Sequence, residues 1–406
     1  MCALPAFPRM KFFPQVLSVL SAVASFFCAG VPAAGQSPPA IRKITPAPQT
    51  LPLTEFYDTP DPLPFGKPGE LIRFEPLDEY HLSSDFTVFR ILYHSRSAND
   101  EDVAVSGVVI VPDGTPPTGG WPVIAWAHDF IGSARTCAPS LLRNLNDGPL
   151  ISMYVRAGYA VVASDYAGLG TNFPYAVLDM RSNAGDVINS VIAARTAVPL
   201  LGSRWVVAGF SQGAMVSIGV SEAETEIADS GYLGALAISG VASPQELYPH
   251  LAQGASRGLL LHLAAGIKTI FAAFQINDML ADKAKSRFQL IRLRCNVGAA
   301  ETLAANELLR PGWENNRYVK DFFARNAPGG KTARGPLLLI NGDADPELPL
   351  SIASAAVTRL CEQKDRVLFI HYPGLTASAA IGNSAAEQFS WLRARFAGTP
   401  APGNCP

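Results

Sequence analysis

Blocks of apolar residues at 71–74, 86–93, 103–111, 122–126, 159–164, 205–209, 235–239, 336–340 and 366–370 predict β-strands. The later blocks are continuously apolar, without the alternation of a half-exposed sheet, which predicts parallel strands covered on both faces. Between them, helical periodicity is read over 150–157, 184–197, 211–223, 351–361 and 385–396. Strand and helix in alternation predict a doubly wound α/β fold. One interval breaks the rhythm: 241–334 shows no strand and reads as several helices. An insertion between consecutive core strands predicts a helical cap over the carboxyl edge of the sheet, where α/β folds place their sites. The core is then 71–240 together with 335–406. Within the cap, 258–274 is nearly all apolar, which fits either contact with lipid or substrate, or the buried helix of the cap's own core. Ahead of the core, 36–70 carries prolines at 38, 39, 46, 48, 52, 60, 62, 64 and 68. Such a leader is expected to wrap the surface in extended form and contribute no core.

Composition agrees with a large buried core: 406 residues, 48% hydrophobic and 16% charged. Lys plus Arg (32) nearly cancels Asp plus Glu (34), with no basic run, so nucleic acid is not an expected partner. The N-terminus has Arg9 and Lys11, an apolar run over 16–28 and small residues over 31–35. This order predicts a secretory signal peptide over 1–35 and a secreted or periplasmic protein. The run is shorter than the roughly 20 residues of a membrane span. Cleavage removes Cys2 and Cys28 and leaves Cys137, Cys295, Cys361 and Cys405. An even set in an exported chain favours two disulfides, in any of three pairings, over four buried free thiols.

Gly209-Phe210-Ser211-Gln212-Gly213 follows the strand block 205–209 and opens a helical pattern. In G-x-S-x-G the chain reverses so sharply that side chains two residues either side of the serine would collide, and the strained turn projects the hydroxyl. Ser211 is therefore the candidate nucleophile. The N–H of Gln212 at the helix start is one candidate donor to a tetrahedral oxyanion. The second is expected from the loop 126–132, which holds His128 and Asp129; these are otherwise plain polar loop residues.

The order for this fold is serine, acid, histidine. The acid is read as Asp345, in the turn after the strand 336–340, with Asp343 read as a turn-capping residue. The base should lie between the strand 366–370 and the helix starting at 385. That stretch, read as a loop, contains one histidine, His371, at the very end of the strand. His371 reads more readily as a structural strand residue than as the base.

Taken together, these stretches resemble the secretory lipase family, the lipase A-type α/β-hydrolases. The resemblance spans nearly the whole chain after the leader peptide. It rests on Glu55-Phe56-Tyr57, Pro68-Gly69-Glu70-Leu71-Ile72, Cys137-Ala138-Pro139-Ser140 and Asp165-Tyr166-Ala167-Gly168-Leu169-Gly170. Residues 209–213, the acid loop from Gly342 to Pro349 and Trp391-Leu392-Arg393-Ala394-Arg395-Phe396 complete it. It implies an exported hydrolase of small-molecule or lipid esters, with a helical lid, no metal and no organic cofactor. It also implies Asp345 as the acid, the Asp129 N–H as the second oxyanion donor, and disulfides Cys137–Cys295 and Cys361–Cys405. Two positions depart from the family pattern. Phe173 stands where histidine is usual, and Ala377 stands where the catalytic histidine is expected. The base has then been lost naturally, or been replaced deliberately, or is supplied by His371.

Overall fold

The computed structural model describes residues 49–82, 85–293, 295 and 303–405. The expected signal peptide and the first part of the leader lie outside the described residues. The strands are β1 (Leu71–Pro76), β2 (Phe86–Arg96), β3 (Asp102–Pro112), β4 (Trp121–Ala127), β5 (Ala160–Ser164), β6 (Leu201–Phe210), β7 (Tyr232–Ile238), β8 (Leu337–Gly342) and β9 (Val367–Tyr372). They form one sheet in the order β1-β2-β3-β5-β4-β6-β7-β8-β9. Pairing is antiparallel from β1 through β5 and parallel from β5 onward.

The helices are α1 (Gly148–Arg156), α2 (Met180–Ala197), α3 (Gln212–Ile227), α4 (Pro244–Gln253), α5 (Leu259–Ile270), α6 (Ala284–Leu290), α7 (Ala305–Leu308), α8 (Arg317–Arg325), α9 (Leu350–Glu362), α10 (Ala377–Asn383) and α11 (Ala385–Phe396). Alternate residues of the central strands enter different cores. Val123, Ala125, Val207, Leu337 and Leu339 pack with α2, α3 and α9, while Ile124, Trp126, Val206, Leu338 and Ile340 pack with α1, α10 and α11. This is why these segments read as unbroken apolar runs. Each fully buried aliphatic side chain contributes about 1.5–3 kcal/mol.

Between β7 and β8, α4 to α8 enclose a third apolar cluster. The apolar stretch at 258–274 forms α5, whose Leu260, Leu261, Leu263, Ala264 and Ile267 are buried in that cluster. Two contacts seat these helices on the main core. Arg325 pairs with the carboxylate of Asp179, which caps α2 (Nε–Oδ1 2.8 Å), and Asn326 accepts the Met180 N–H at 2.6 Å.

Two expectations need correction. The described part of the leader does contribute core: Phe56 and Tyr57 form a short turn, and Tyr57 is fully buried with its hydroxyl 2.8 Å from Ser140 Oγ. Prolines set an extended path but do not stop an aromatic pair from entering a gap that also satisfies the phenol. The stretch around 377 is no loop either. Thr376 Oγ1 accepts the N–H of Ala379 and caps α10, so Ala377 is a first-turn helical residue. Among the described residues no helix is long and apolar enough to cross a membrane.

Candidate active site

Ser211 stands at the junction of β6 and α3 with φ 53° and ψ −115°, a backbone region that costs a non-glycine residue about 1–3 kcal/mol. Packing imposes it. A Cβ on Gly209 would lie 2.2 Å from the Gly213 oxygen, and one on Gly213 would lie 1.9 Å from the Ala127 oxygen. Gly240, which the motif does not include, is equally constrained: its Cβ would stand 1.9 Å from the Ser211 oxygen. The turn is thus wedged between the ends of β4 and β7.

Ser211 opens into a cavity of about 370 Å³. Gln212, Asp129, Asp345, Thr376 and Ala377 line it. Leu247, Tyr248, Leu251 and Leu259, from the helices between β7 and β8, line it as well. Gln212 is held by a hydrogen bond from its Nε2 to the Tyr175 hydroxyl at 2.9 Å. Gly342 is in tight contact with the oxygens of Leu375 and Thr376, 2.5 Å from where its Cβ would be, and this joins the turn that carries Asp345 to the start of α10.

The loop after β4 is fixed from below. Burial lowers the His128 imidazole to about 4, so the ring is neutral at ordinary pH. It stacks on Tyr166 with centroids 4.1 Å apart, its Nε2 is 3.2 Å from the Asp165 oxygen, and the Tyr166 hydroxyl donates to the His128 oxygen at 3.1 Å. Asp129 follows. Its Oδ1 accepts the Phe130 N–H at 2.6 Å, and it lines the same cavity as Ser211 and Gln212. Burial pushes this carboxyl above its ordinary value, against the lowering influence of the nearby Ser211 hydroxyl and the Phe130 and Gln212 N–H groups. Sequence reasoning drew on the Asp129 amide alone and gave no signal for its side chain.

Asp345 lines the cavity, and its Oδ1 accepts the Glu347 N–H at 2.9 Å. Asp343 does not cap its turn. Its Oδ2 lies 2.8 Å from His371 Nδ1, because β8 and β9 end in register, with Asn341 opposite His371. His371 is half exposed, with its ring tilted against that of Phe369 at 5.8 Å; neither it nor Asp343 is among the residues lining the cavity. Cys137 is bonded to Cys295 and Cys361 to Cys405, so one bridge ties the loop after β4 to the segment beyond α6 and the other ties α9 to the C-terminal tail. A threonine followed by an alanine-rich run is a cap signal that would have found α10; Tyr175 and Gly240 leave no such trace.

A strand-turn-helix serine facing a pocket beneath inserted helices invites comparison with known hydrolases. Residues 144–404 match the secretory lipase family model. The chain belongs to the secretory lipase family. The fold is the lipase A-type α/β-hydrolase, shared with Candida antarctica lipase A in its closed state at 18% identity and TM-score 0.74, over 87% of this chain and 88% of that one. The rice cell wall degrading esterase LipA from Xanthomonas oryzae aligns at 18% identity and TM-score 0.66, over 81% and 98%. A putative hydrolase from Legionella pneumophila aligns at 18% and 0.68, over 80% and 98%. No curated protein matches the chain. As a member of the secretory lipase family it is an ester hydrolase scaffold.

Proposed function

We propose that this chain is an exported carboxylic ester hydrolase of lipase or esterase type, slow because its base position is vacant. Ser211 attacks the ester carbonyl and forms an acyl-enzyme. The amides of Gln212 and Asp129 receive the oxyanion. Asp345 is the acid that would orient an imidazole at position 377, where alanine leaves none. The observation that carries this reading is that one cavity is lined by Ser211, Gln212, Asp129, Asp345 and Ala377 together. The leucines that line the same cavity supply an apolar surface for an acyl chain. Two disulfides and the family support an extracytoplasmic setting.

The test compares hydrolysis of short and long p-nitrophenyl esters by the unmodified chain and by Ala377→His. Removing the base of a serine hydrolase costs on the order of 10⁶ in kcat and leaves about 10³–10⁴ over water. Ala377→His is expected to recover several orders of magnitude, and Ser211→Ala to abolish that gain together with labelling by a fluorophosphonate. Labelling that survives Ser211→Ala in the Ala377→His background excludes the nucleophile. Ester binding with no turnover in any variant marks a binding protein instead. Substantial hydrolysis by the unmodified chain, abolished by His371→Ala, makes His371 the base.

A further inference from the structure

We propose that His262, on α5, is a positioning residue for the loop after β4, so that the inserted helices as well as the sheet set the geometry of the oxyanion site. The inference rests on the proposed role of the Asp129 amide as an oxyanion donor, and His262 acts through the loop without touching substrate.

The loop needs support from outside. Its start is wedged by the Ala127 and His128 oxygens, which would lie 1.9 and 3.0 Å from a Cβ on Gly213. Beyond that point, among the described residues, no backbone hydrogen bond of 129–133 reaches another segment. The bonds within the stretch are local: His128 Nδ1 lies 2.5 Å from the Asp129 oxygen, and Asp129 Oδ1 accepts the Phe130 N–H. An amide that must meet a developing negative charge has to be held to within about 0.5 Å, which such local bonds alone do not achieve.

Two ties to the inserted segment supply the rest. Gly132, at φ 120°, packs on the Cys137–Cys295 bridge, and its Cβ would stand 2.8 Å from Cys137 Sγ and 2.9 Å from the Cys295 Cα. The second tie is His262. Its Nδ1 is 2.8 Å from Ser133 Oγ, and its ring meets that of Phe130 edge-on, with centroids 4.7 Å apart. Phe130 lines the cavity together with Asp129 and Ser211, so both contacts of the imidazole bear on the residues that follow the Asp129 amide.

The partners of Ser133 set the direction of this tie. Its Oγ also lies 3.3 Å from the oxygen of Ile291, just past α6, and that oxygen can only accept. The single hydroxyl proton goes there when His262 Nδ1 carries a proton and donates to Ser133. The reverse arrangement puts the ring proton on Nε2, which is buried with no partner among the described residues, and a buried N–H without an acceptor is the rarer of the two defects. A chain from Nδ1–H to Oγ–H to the Ile291 oxygen thus joins α5, the loop and the end of α6. Burial lowers the imidazole to about 4, so the ring stays neutral and the chain persists under ordinary assay conditions. His262 sits between Leu261 and Leu263 in an apolar helix and is 1% exposed. A leucine there would avoid the desolvation cost of the imidazole but could not hold Ser133.

The experiment follows p-nitrophenyl butyrate hydrolysis in the Ala377→His background with Ser133→Ala, His262→Phe, His262→Asn and the pair Ser133→Ala with His262→Phe. It also follows amide hydrogen exchange of 128–134 in the otherwise unmodified chain, with and without Ser133→Ala. Ser133→Ala takes a hydroxyl from a loop and leaves the buried ring in place, so it serves even where His262→Phe fails to fold. Each of these two substitutions is expected to lower kcat about 10- to 10²-fold with little change in KM. The pair should lose no more than the larger single loss, since both break one bond. His262→Asn, whose side-chain nitrogen stands where Nδ1 stood, should recover most of the loss although it lacks the ring. Exchange at 128–134 should quicken with Ser133→Ala while that of β4 stays as it is. With an active Ala377→His protein, unchanged kcat in both single variants, fully additive losses, a rise in KM alone or unchanged exchange each overturns the proposal. An Ala377→His protein no faster than its Ser211→Ala variant sinks instead the reading of the site on which the inference rests, and the role of His262 falls with it.

Discussion

Gly213 illustrates how much of the site depends on single atoms. A methyl there would occupy the space of the Ala127 oxygen, a backbone atom that cannot swing aside. Gly213→Ala should therefore force β4 and α3 apart, with a loss of roughly 1–3 kcal/mol from overpacking, read as a lower urea midpoint. It should also remove whatever turnover Ala377→His restores, because the two amides proposed to receive the oxyanion, Gln212 and Asp129, lie on the segments that separate. His371 and Asp343 show the opposite case. They are paired at 2.8 Å, but on an exposed strand end; such a pair contributes about 0–1 kcal/mol, so His371→Ala should shift the melting temperature little.

At the scale of elements, α10 decides what position 377 can do. Its first turn is held by Thr376, whose hydroxyl accepts from Ala379. Thr376→Ala is expected to cost about 1 kcal/mol of helix stability and to let the first turn fray. In the Ala377→His background kcat should fall while binding changes less, because a restored imidazole needs a fixed direction toward Ser211; an unchanged kcat would show that the cap is irrelevant to the site. The disulfides act on elements as well. Cys137–Cys295 closes a separation of 158 residues and Cys361–Cys405 one of 44, and each contributes about 2–4 kcal/mol in the usual range. The exported native chain should show no titratable thiol among these cysteines before reduction and a lower melting temperature after it.

For the molecule as a whole, buried acids set the response to pH. Burial raises Asp186 and Glu222 to about 7, and Asp147, Asp165 and Asp365 to about 6. A folded-state value above that of the unfolded chain means the folded protein binds more protons in between, so stability falls as pH rises through the window. The histidines oppose this lower down. His128 and His262 are lowered to about 4 from 6.5, so their contribution grows with pH up to the latter value and then stops. Above about pH 6.5 only the loss remains, from Asp186 and Glu222, and the melting temperature should decline toward about pH 8. Asp186 accepts from Ser95 Oγ at 2.6 Å and from the Ala167 N–H at 2.9 Å. Asp186→Asn, which keeps one acceptor for Ala167, should flatten part of that decline; an unchanged slope would assign it elsewhere.

Every strand of the sheet overlaps a block read from the sequence, and for the central strands, covered on both faces, burial is written directly into the sequence. The strand-turn-helix at Ser211 was legible because glycines at 209 and 213 are a local steric requirement. The helices between β7 and β8 showed as a gap in strand rhythm. What stayed hidden involves residues far apart in the chain. Tyr57 enters the core only because Ser140, 83 residues away, offers its hydroxyl. Asp343 meets His371 only because β8 and β9 end in register. Asp129 and Ser211 line one cavity because β4 and β6 are neighbours in a strand order that the sequence leaves open. Local sequence determines which segments are strand, turn or helix, since backbone strain and amphipathic burial act over a few residues. Which side chains then share a cavity is decided by the packing of those segments, where contacts between distant residues select one arrangement.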